Sequence, residues 1–339
     1  MQSLRQDQTD KVPDASPLER LSVLADADMR AVNALILEYM QSDVALIPQL
    51  AQYLIAAGGK RIRPLMTLAS GQLFGADMDK VYYLAAAVEF IHTATLLHDD
   101  VVDESEERRG QKAANLVFGN QASVLVGDFL FSKSFQMMVE GGSLEVLRIL
   151  SEASAIIAQG EVLQLATTND LETGFNDYLK VIESKTAALF SAACEVAPVL
   201  AGAQDEQIKA MYDYGKNLGI AFQIIDDALD YSANQEKLGK AIGDDFKEGK
   251  MTAPVIFALQ DANAEEMAFW KRTLEEKDQN DDDFTAAMDL ITKHKALEKT
   301  MDYARDYAAK AKSSLAAVQP CEIKDILSDL ADFTVSRET

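Results

Sequence analysis

The sequence predicts an all-α fold built from long helices. From Leu18 onward the chain is rich in the strong helix formers Ala, Leu, Met, Glu, Lys and Gln. Apolar residues recur at spacings of three and four, for example between Tyr82 and Thr93, where Glu89 is the one charged member of the stripe. No run of alternating polar and apolar residues with turns at hairpin spacing indicates a sheet. Hydrophobic residues make up 48% of the 339 residues, so the chain can bury a large core.

Glycine and small polar residues mark the predicted ends of the helices. Residues 1–17 are polar and contain two prolines, which predicts a flexible N-terminal tail. No shift in composition divides the remainder, so residues 18–339 are predicted to form one domain. The predicted helix ends are Gly58–Gly59, Gly75–Asp77, Gly141–Ser143, Thr173–Gly174, Gly202 and 239–249.

The charge and the cysteine content limit the functional classes. The formal net charge is −23, which argues against nucleic acid as a partner because phosphate backbones are bound by Lys and Arg. A small phosphorylated substrate needs only a local basic pocket. Cys194 and Cys321 offer no disulfide framework, the N-terminus lacks an apolar signal segment, and no transmembrane span is evident. We therefore expect a cytoplasmic protein.

Two copies of a DDxxD motif, at 99–103 and 226–230, follow apolar stretches. Residues four apart lie on one face of a helix, so Asp99 and Asp103 point the same way, and the second motif repeats this geometry. Like charges this close repel one another by ~1 to ~4 kcal/mol per pair. A cation should therefore compensate, and carboxylate oxygens suit Mg²⁺, which also accepts phosphate oxygens. One such motif could be an exposed acidic turn, but two matching motifs on apolar helices favour a metal–diphosphate site.

Polar residues share the faces of the acidic motifs. His92 lies seven residues before Asp99, and Gln223 lies three residues before Asp226. A lone polar residue on an apolar helix is usually a hydrogen-bonded core side chain. The register with the carboxylates favours a substrate contact for His92, while for Gln223 a core amide bonded to the backbone is the alternative.

Basic residues cluster where an anion could bind. The segment GGKRIRP (58–64) places Lys60 and Arg63 three residues apart, beside a glycine pair that allows close backbone approach. It is not a P-loop, because the Gly-Lys-Ser/Thr element is missing. Arg108 and Arg109 follow the first acidic motif, and guanidinium groups bind phosphate through paired hydrogen bonds. The alternatives are a helix end with surface charges for 58–64 and pairing with neighbouring glutamates for the two arginines.

Three further basic positions complete the set. Lys185 is followed by Thr186, and Lys240 and Lys250 each follow a glycine after the second acidic motif. Any one of these lysines, taken alone, would be an ordinary surface charge.

In combination and in order, these segments resemble those of the trans-isoprenyl diphosphate synthases, also called polyprenyl synthetases. The resemblance runs from about Leu18 to the C-terminus, and within the family it points to bacterial long-chain synthases of the octaprenyl or decaprenyl type. The matching segments are GGKRIRP (58–64), FIHTATLLHDDVVDESEERRG (90–110), VLVGDF (124–129), ESKTA (183–187), FQIIDDALDY (222–231) and GKAIGDDFKEGKMTAP (239–254).

The resemblance implies a helical bundle around a deep central cavity, a homodimer, and Mg²⁺ as cofactor, about three ions per diphosphate-bound site, with Mn²⁺ as an alternative. The residues implied to hold the metal are Asp99, Asp103 and Asp226, supported by Asp100, Asp227 and Asp230. Those implied to contact the allylic diphosphate are Arg108, Lys185, Thr186, Gln223, Lys240 and Lys250. Those implied to hold isopentenyl diphosphate are Lys60, Arg63, His92 and Arg109. The six aspartates, Lys185 and Lys240 are the implied catalytic residues.

The implied reaction is the head-to-tail condensation of isopentenyl diphosphate onto an allylic prenyl diphosphate. The allylic C–O bond ionises, the double bond of isopentenyl diphosphate attacks the cation, and a proton is lost. Small residues at Ala94 and Thr95 predict an open tunnel and a long product of about C40–C50, and Met138 is a candidate for its lining. Ordinary core packing is the alternative. The resemblance implies that the product becomes a quinone side chain, and its release could involve transient contact with a membrane.

Rival functions explain less of the sequence. A terpene cyclase also ionises an allylic diphosphate at a first DDxxD motif, but its second motif usually mixes Asn, Ser or Thr with Glu. A non-catalytic partner subunit would be expected to have lost acidic residues that this chain retains. An acidic cation-binding scaffold would leave the ordered basic segments unexplained.

Overall fold

The computed structural model describes residues 15–56, 58–232 and 243–336, and these residues are almost entirely helical. The strands in these ranges are two residues long: β1 (Glu107–Arg108) pairs antiparallel with β2 (Gln111–Lys112). The prediction of an all-α fold is confirmed.

The described helices vary from single turns to rods of more than six turns. In chain order they are α1 (Pro17–Leu24), α2 (Asp26–Tyr39), α3 (Leu46–Ala56), α4 (Ile62–Phe74), α5 (Met78–Val102), α6 (Ala114–Phe118), α7 (Asn120–Gly141), α8 (Leu144–Thr167), α9 (Phe175–Ile182), a π-helical turn (Glu183–Ala187), α10 (Ala188–Leu200), α11 (Asp205–Asp230), α12 (Asp244–Glu248), α13 (Ala253–Gln260), α14 (Ala264–Trp270), a second π-helical turn (Lys271–Glu275), α15 (Asp283–Lys293), α16 (Ala296–Ser314), a 3₁₀ turn (Leu315–Ala317) and α17 (Glu322–Val335).

Helix ends follow local capping chemistry. Helix α1 begins one residue before the predicted tail boundary, because the Ser16 side chain accepts the backbone N–H of Glu19 and the Glu19 carboxylate accepts that of Ser16. Helix α4 ends where Gly75 adopts a left-handed conformation. Most of the predicted tail, residues 1–14, lies outside the described residues.

The first hydrophobic core is built around α5. Residues 84–91 of this helix are all buried, so α5 is enclosed on every side rather than on one stripe. It packs along α7 over most of its length and also contacts α4 and α2. A second core, which contains Trp270 and Phe246, lies behind the end of α11. In the described parts of the chain, no helix is long and apolar enough to cross a membrane.

The π-helical turn over Glu183–Ala187 is held closely on two sides. A methyl group added at Gly219 of α11 would lie 2.7 Å from Cα of Ala187, and one at Gly160 of α8 would lie 2.7 Å from Cβ of Ser184. Both approaches require glycine, because such distances are shorter than van der Waals contact. The turn that carries Lys185 is thereby fixed against the helix that carries the second acidic motif.

Candidate active site

The first acidic motif lies at the C-terminal end of α5, where Asp103 is the C-cap residue. Asp99 is largely buried, with 15% of its side chain exposed. Asp100 faces away, is almost fully buried, and accepts a hydrogen bond of 2.8 Å from Nε of Arg108. Asn115 donates to the backbone oxygen of Asp100 at 2.9 Å. Asp100 therefore anchors Arg108 and the β1–β2 turn to α5.

The second motif ends α11 and contains a buried hydrogen-bond network. Asp227 accepts from the phenol of Tyr178 at 2.6 Å and from the amide of Gln223 at 2.8 Å. Thr186 in turn donates to the Gln223 carbonyl oxygen at 2.7 Å. Asp226, by contrast, is exposed. The buried carboxylate is thus fixed, while the exposed one faces solvent.

Two lysines link the motifs to other acidic groups. The ammonium of Lys185 lies 2.7 Å from a carboxylate oxygen of Glu161 and 3.9 Å from one of Asp99. The ammonium of Lys250 lies 3.4 Å from a carboxylate oxygen of Asp103 and 4.0 Å from one of Asp245. Lys250 therefore connects the end of α5 to the segment that follows α11.

Burial makes the charged forms of two motif aspartates unfavourable. Burial raises the pKa of Asp99 to about 7, and nearby Glu161 and Asp103 add to this while Lys185 opposes it. Burial also raises the pKa of Asp227 to about 7, against the hydrogen bonds that it accepts.

Around Lys250 negative charge dominates. Burial favours a lower pKa for Lys250, but the charges of Asp245 and Asp103 outweigh it and raise that pKa. The site as a whole favours additional cations. Among the described residues, no three acidic, histidine or cysteine side chains come close enough to chelate a metal without further ligands.

A separate cluster of basic side chains, called the arginine pocket below, joins the start of α4 to the middle of α5. The Arg63 guanidinium carbon lies 4.5 Å from the centroid of the Phe190 ring, and its buried Nε atom has no hydrogen-bond partner within the described residues. Burial lowers the pKa of Arg63 to about 10, so it stays charged at neutral pH. Burial and the charges of Arg63 and Arg109 hold the pKa of His92 well below its usual value, so His92 is neutral.

Two contacts shape this pocket. A methyl group added at Gly59 would lie 2.6 Å from Nη1 of Arg109, so the glycine loop packs directly against that guanidinium. Nη1 of Arg61 donates to the buried Glu89 carboxylate at 2.7 Å. Lys60 is exposed next to this loop. The predicted residues Lys60, Arg63, His92 and Arg109 therefore come from segments that meet.

A cavity of about 110 Å³ lies beside the second motif. The predicted residues that line it are Lys185, Thr186, Gln223, Asp227 and Lys250. Ala94 and Met138 are not among its lining residues and lie in the hydrophobic core, each 1% exposed. Thr95, also absent from the lining, donates its hydroxyl to the backbone oxygen of His92 at 2.8 Å. Lys240 lies outside the described residues.

Sequence reasoning missed four polar residues of these two sites. Glu161 pairs with Lys185, Tyr178 binds Asp227, Asp245 approaches Lys250, and Glu89 pairs with Arg61. Glu89 had a signal, as the only charged residue in its apolar stripe. A second signal was available for Asp245, which follows Asp244 directly within the last matching segment.

Comparisons with known proteins agree with this geometry. The family model described as polyprenyl synthetase matches residues 44–291. The octaprenyl diphosphate synthase of Escherichia coli (strain K12) is 46% identical over 321 residues, covering 95% of this chain and 99% of that protein. That of Haemophilus influenzae is 44% identical over 327 residues, covering 96% and 99%.

Solved structures give the same result. A decaprenyl diphosphate synthase from Rhodobacter capsulatus superposes with a TM-score of 0.91 at 51% identity, covering 95% of this chain and 99% of its own. A polyprenyl synthase from Caulobacter crescentus CB15, in complex with calcium and isoprenyl diphosphate, has a TM-score of 0.92 at 53% identity, covering 96% and 99%. The fold is that of the all-α isoprenoid synthases. The chain belongs to the polyprenyl synthetase family and is a prenyltransferase.

Proposed function

We propose that this protein condenses isopentenyl diphosphate head-to-tail onto an allylic prenyl diphosphate and makes a long-chain all-trans polyprenyl diphosphate of about C40–C50. One observation carries the proposal: the first acidic motif, with Lys185 and Lys250 beside it, and the buried arginine pocket both involve α5. Asp99 is on this helix, and so is His92, two turns earlier. Two anion sites so close together suit two diphosphate substrates that must react with each other.

The acidic cleft suits magnesium. Carboxylate oxygens are ligands that Mg²⁺ prefers, and the diphosphate group of the substrate would supply further oxygens. Asp99, Asp103 and Asp226 would hold the metal, with Mn²⁺ as an alternative. Bound Mg²⁺ would neutralise negative charge on the diphosphate leaving group. Support comes from the acidic side chains of Glu161 and Asp103 near Asp99 and from the calcium in the Caulobacter relative.

The residues around the cavity would bind the allylic diphosphate. Lys185 and Lys250 already lie beside the acidic motifs, and Thr186 and Gln223 are oriented by the network that ends on Asp227. Arg108 is held by Asp100 beside the first acidic motif. Lys240, predicted for this subsite, completes the proposed set.

The arginine pocket would bind isopentenyl diphosphate. Arg63 and Arg109 supply fixed positive charge, and the unpaired Nε of Arg63 offers a hydrogen bond to a phosphate oxygen. His92 is neutral and can donate a hydrogen bond without adding charge. Lys60, exposed at the rim, would close the subsite.

The chemistry needs no protein nucleophile. The C–O bond of the allylic diphosphate breaks, and its electron pair leaves with the diphosphate. The double bond of isopentenyl diphosphate then forms the new C–C bond, and a proton is lost to the departed diphosphate. The chain's own part is to hold both diphosphates, to neutralise the leaving group with Lys185 and Lys250, and to exclude water.

The proposal includes what sets the length of the product and where the product is used. Ala94, Thr95 and Met138 are proposed to set chain length by leaving room beside α5, and the product would serve as a quinone side chain. Both cysteines are free thiols, which fits a reducing compartment such as the cytoplasm. Release of so apolar a product would involve transient contact with a membrane.

We also propose a homodimer that forms through α7 and α8. These helices expose apolar side chains on adjoining surfaces, and patches of this kind usually mark interfaces. The exposed residues are Val124, Leu125, Phe135 and Val139 on α7, and Ile156, Val162 and Leu165 on α8. A second copy is the proposed occupant, because both helices offer such residues along several turns and a stable dimer covers about 800 Å² per partner.

The dimer is tested by light scattering coupled to size exclusion. Val162→Glu combined with Leu165→Glu should give a monomer, whereas Val23→Glu, at a still more exposed apolar site on α1, should leave the dimer intact. A monomeric wild type, or a dimer that tolerates both glutamates, would refute this interface.

The reaction is tested with purified protein, Mg²⁺, labelled isopentenyl diphosphate and farnesyl diphosphate, with products resolved by chain length. We expect a ladder that ends at one long prenyl diphosphate and that disappears when EDTA removes the metal. Asp99→Asn should lower turnover by about 10²-fold or more, while Asp302→Asn, an exposed acid on α16, should not. Cyclised hydrocarbon would indicate a terpene cyclase, and no reaction would indicate a non-catalytic subunit.

A further inference from the structure

A buried carboxylate, Glu89, lies beneath the arginine pocket. It is 6% exposed and sits on α5 one turn before His92. Its charge interacts with the guanidinium groups of Arg61, Arg63 and Arg109. Charged residues are rarely buried without a partner, and here one negative charge is shared by three positive ones. An anion pocket does not need an acid for binding, so Glu89 requires another explanation.

The direct partner of Glu89 is Arg61, which none of the subsites uses. The Arg61 guanidinium donates to Glu89 at 2.7 Å, and Arg61 is the N-terminal cap of α4, with a left-handed backbone at φ 48°. This conformation is unfavourable for a residue with a side chain, so it persists only where surrounding contacts hold it. The ion pair with Glu89 is such a contact, because it joins the N-terminal cap of α4 to α5.

The position of this ion pair sets the geometry of the pocket. Arg63 is in the first turn of α4, two residues after Arg61, and His92 is in the next turn of α5 after Glu89. The Arg61–Glu89 pair thus fixes α4 relative to α5 at the level of Arg63 and His92. The Glu89 carboxylate also offsets repulsion among the guanidinium groups when no diphosphate is bound.

We propose that Glu89 is a positioning residue for isopentenyl diphosphate: through its ion pair with Arg61 it holds Arg63 and His92 in place, and Arg61 does not bind the substrate. The inference rests on the proposed function, since it assumes that this pocket takes the homoallylic substrate. It makes Glu89 an acid that strengthens the binding of an anion.

The sign of the effect separates positioning from simple charge. If Glu89 acted only through its charge, Glu89→Gln would remove repulsion and lower the KM for isopentenyl diphosphate. If it acts by positioning, the same change raises that KM, by about tenfold or more as expected for the loss of a hydrogen bond between charged groups. The KM for the allylic substrate should change by less than about twofold, because the side chains proposed to contact it, such as Lys185 and Gln223, lie on other elements.

The experiment is a double-mutant cycle with Glu89→Gln, Arg61→Gln and the pair, measured at saturating allylic substrate and then at saturating isopentenyl diphosphate. Each single variant should raise the KM for isopentenyl diphosphate, and the double variant should be no worse than the poorer single one. Glu266→Gln is the matched control. Glu266 is also 6% exposed and is paired with Lys293 and His294 in the second core, so its loss should lower the melting temperature without changing either KM.

Each outcome decides the inference. The inference is overturned if Glu89→Gln lowers the KM for isopentenyl diphosphate, or if the two single variants raise this KM by factors that multiply in the double variant. It is also overturned if the KM values for both substrates change equally. Should Glu89→Gln not fold, Arg61→Gln carries the same prediction, because it removes the more exposed half of the pair. A wild type that does not elongate isopentenyl diphosphate refutes the proposed function, whereas a wild type that elongates and a Glu89→Gln variant with unchanged KM refute this inference alone.

Discussion

A methyl group added at Gly249 should displace Lys250, because it would collide with the side chain of Asn169. Removing that side chain should return Lys250 to its place. Gly249 ends α12 with a left-handed backbone at φ 72°. A Cβ atom there would lie 2.0 Å from the side-chain oxygen of Asn169, in the segment between α8 and α9. The backbone N–H of Asn169 donates to the Gly249 carbonyl oxygen at 2.9 Å, so the two segments cannot simply move apart.

The magnitude follows from two separate penalties. A left-handed alanine costs about 1–2 kcal/mol relative to glycine. The clash with Asn169 adds about 1–3 kcal/mol, as for other overpacked sites. Gly249→Ala should therefore lower the free energy of unfolding by about 2–5 kcal/mol. Adding Asn169→Gly removes the clashing carboxamide, keeps the backbone hydrogen bond, and suits the left-handed backbone of residue 169 at φ 61°.

Urea-induced unfolding measures these terms. The double variant should recover the clash of about 1–3 kcal/mol and retain the backbone cost. Gly202→Ala is the control, since Gly202 has a φ of 68° with nothing within 4 Å of the added methyl, so it should show the backbone cost alone. Activity should fall with Gly249→Ala, because Lys250 follows directly, and return with the double variant. Equal losses at Gly202 and Gly249, or no recovery, would refute the reasoning.

Three further predictions concern the site. In metal-free protein, Asp99 has a folded pKa of about 7 against an ordinary 3.8, so between these values the folded state binds more protons and stability falls as pH rises. Asp99→Asn should therefore have a higher melting temperature than wild type at pH 7.5, and this advantage should be much smaller at pH 5. A constant difference would contradict this. Tyr178→Phe removes the phenol that donates to Asp227 at 2.6 Å. Urea-induced unfolding should show a free energy of unfolding lower by about 1.5–3 kcal/mol, and the Mg²⁺ concentration required for activity should rise. Unchanged stability would show that this hydrogen bond contributes nothing. Ala94→Phe should shorten the product sharply, as resolved by chromatography, and an unchanged chain length would exclude Ala94 from the determination of length.

Local patterns in the sequence predicted what local physics controls. Glycines at Gly75 and Gly141–Ser143 do end α4 and α7, because helix termination depends on neighbouring residues. The rule that residues four apart share a face also describes the first motif, in which Asp99 faces Lys185 while Asp100 turns to Arg108.

Partners distant in sequence could not be predicted in the same way. Lys185 and Glu161 are 24 residues apart, Tyr178 and Asp227 are 49 apart, and Lys250 reaches Asp103 across 147 residues. No periodicity links such pairs, because they meet only after several helices have packed. The resemblance to a family supplied Lys185, Lys250 and Asp103 but not the contacts that they make, and Glu161 and Tyr178 emerged only with the structure.

The π-helical turn at Glu183–Ala187 has a consequence for how this chain can change over time. A π-helical turn accommodates one residue more than the α-helix around it, and one residue corresponds to about 100° of rotation. Helices α9 and α10 are therefore out of phase, and Lys185 stands at the phase shift. Loops usually tolerate insertions and deletions. Here a single deletion would leave a continuous helix and still rotate one flank away from α8 and α11. Length in this segment is as constrained as residue identity.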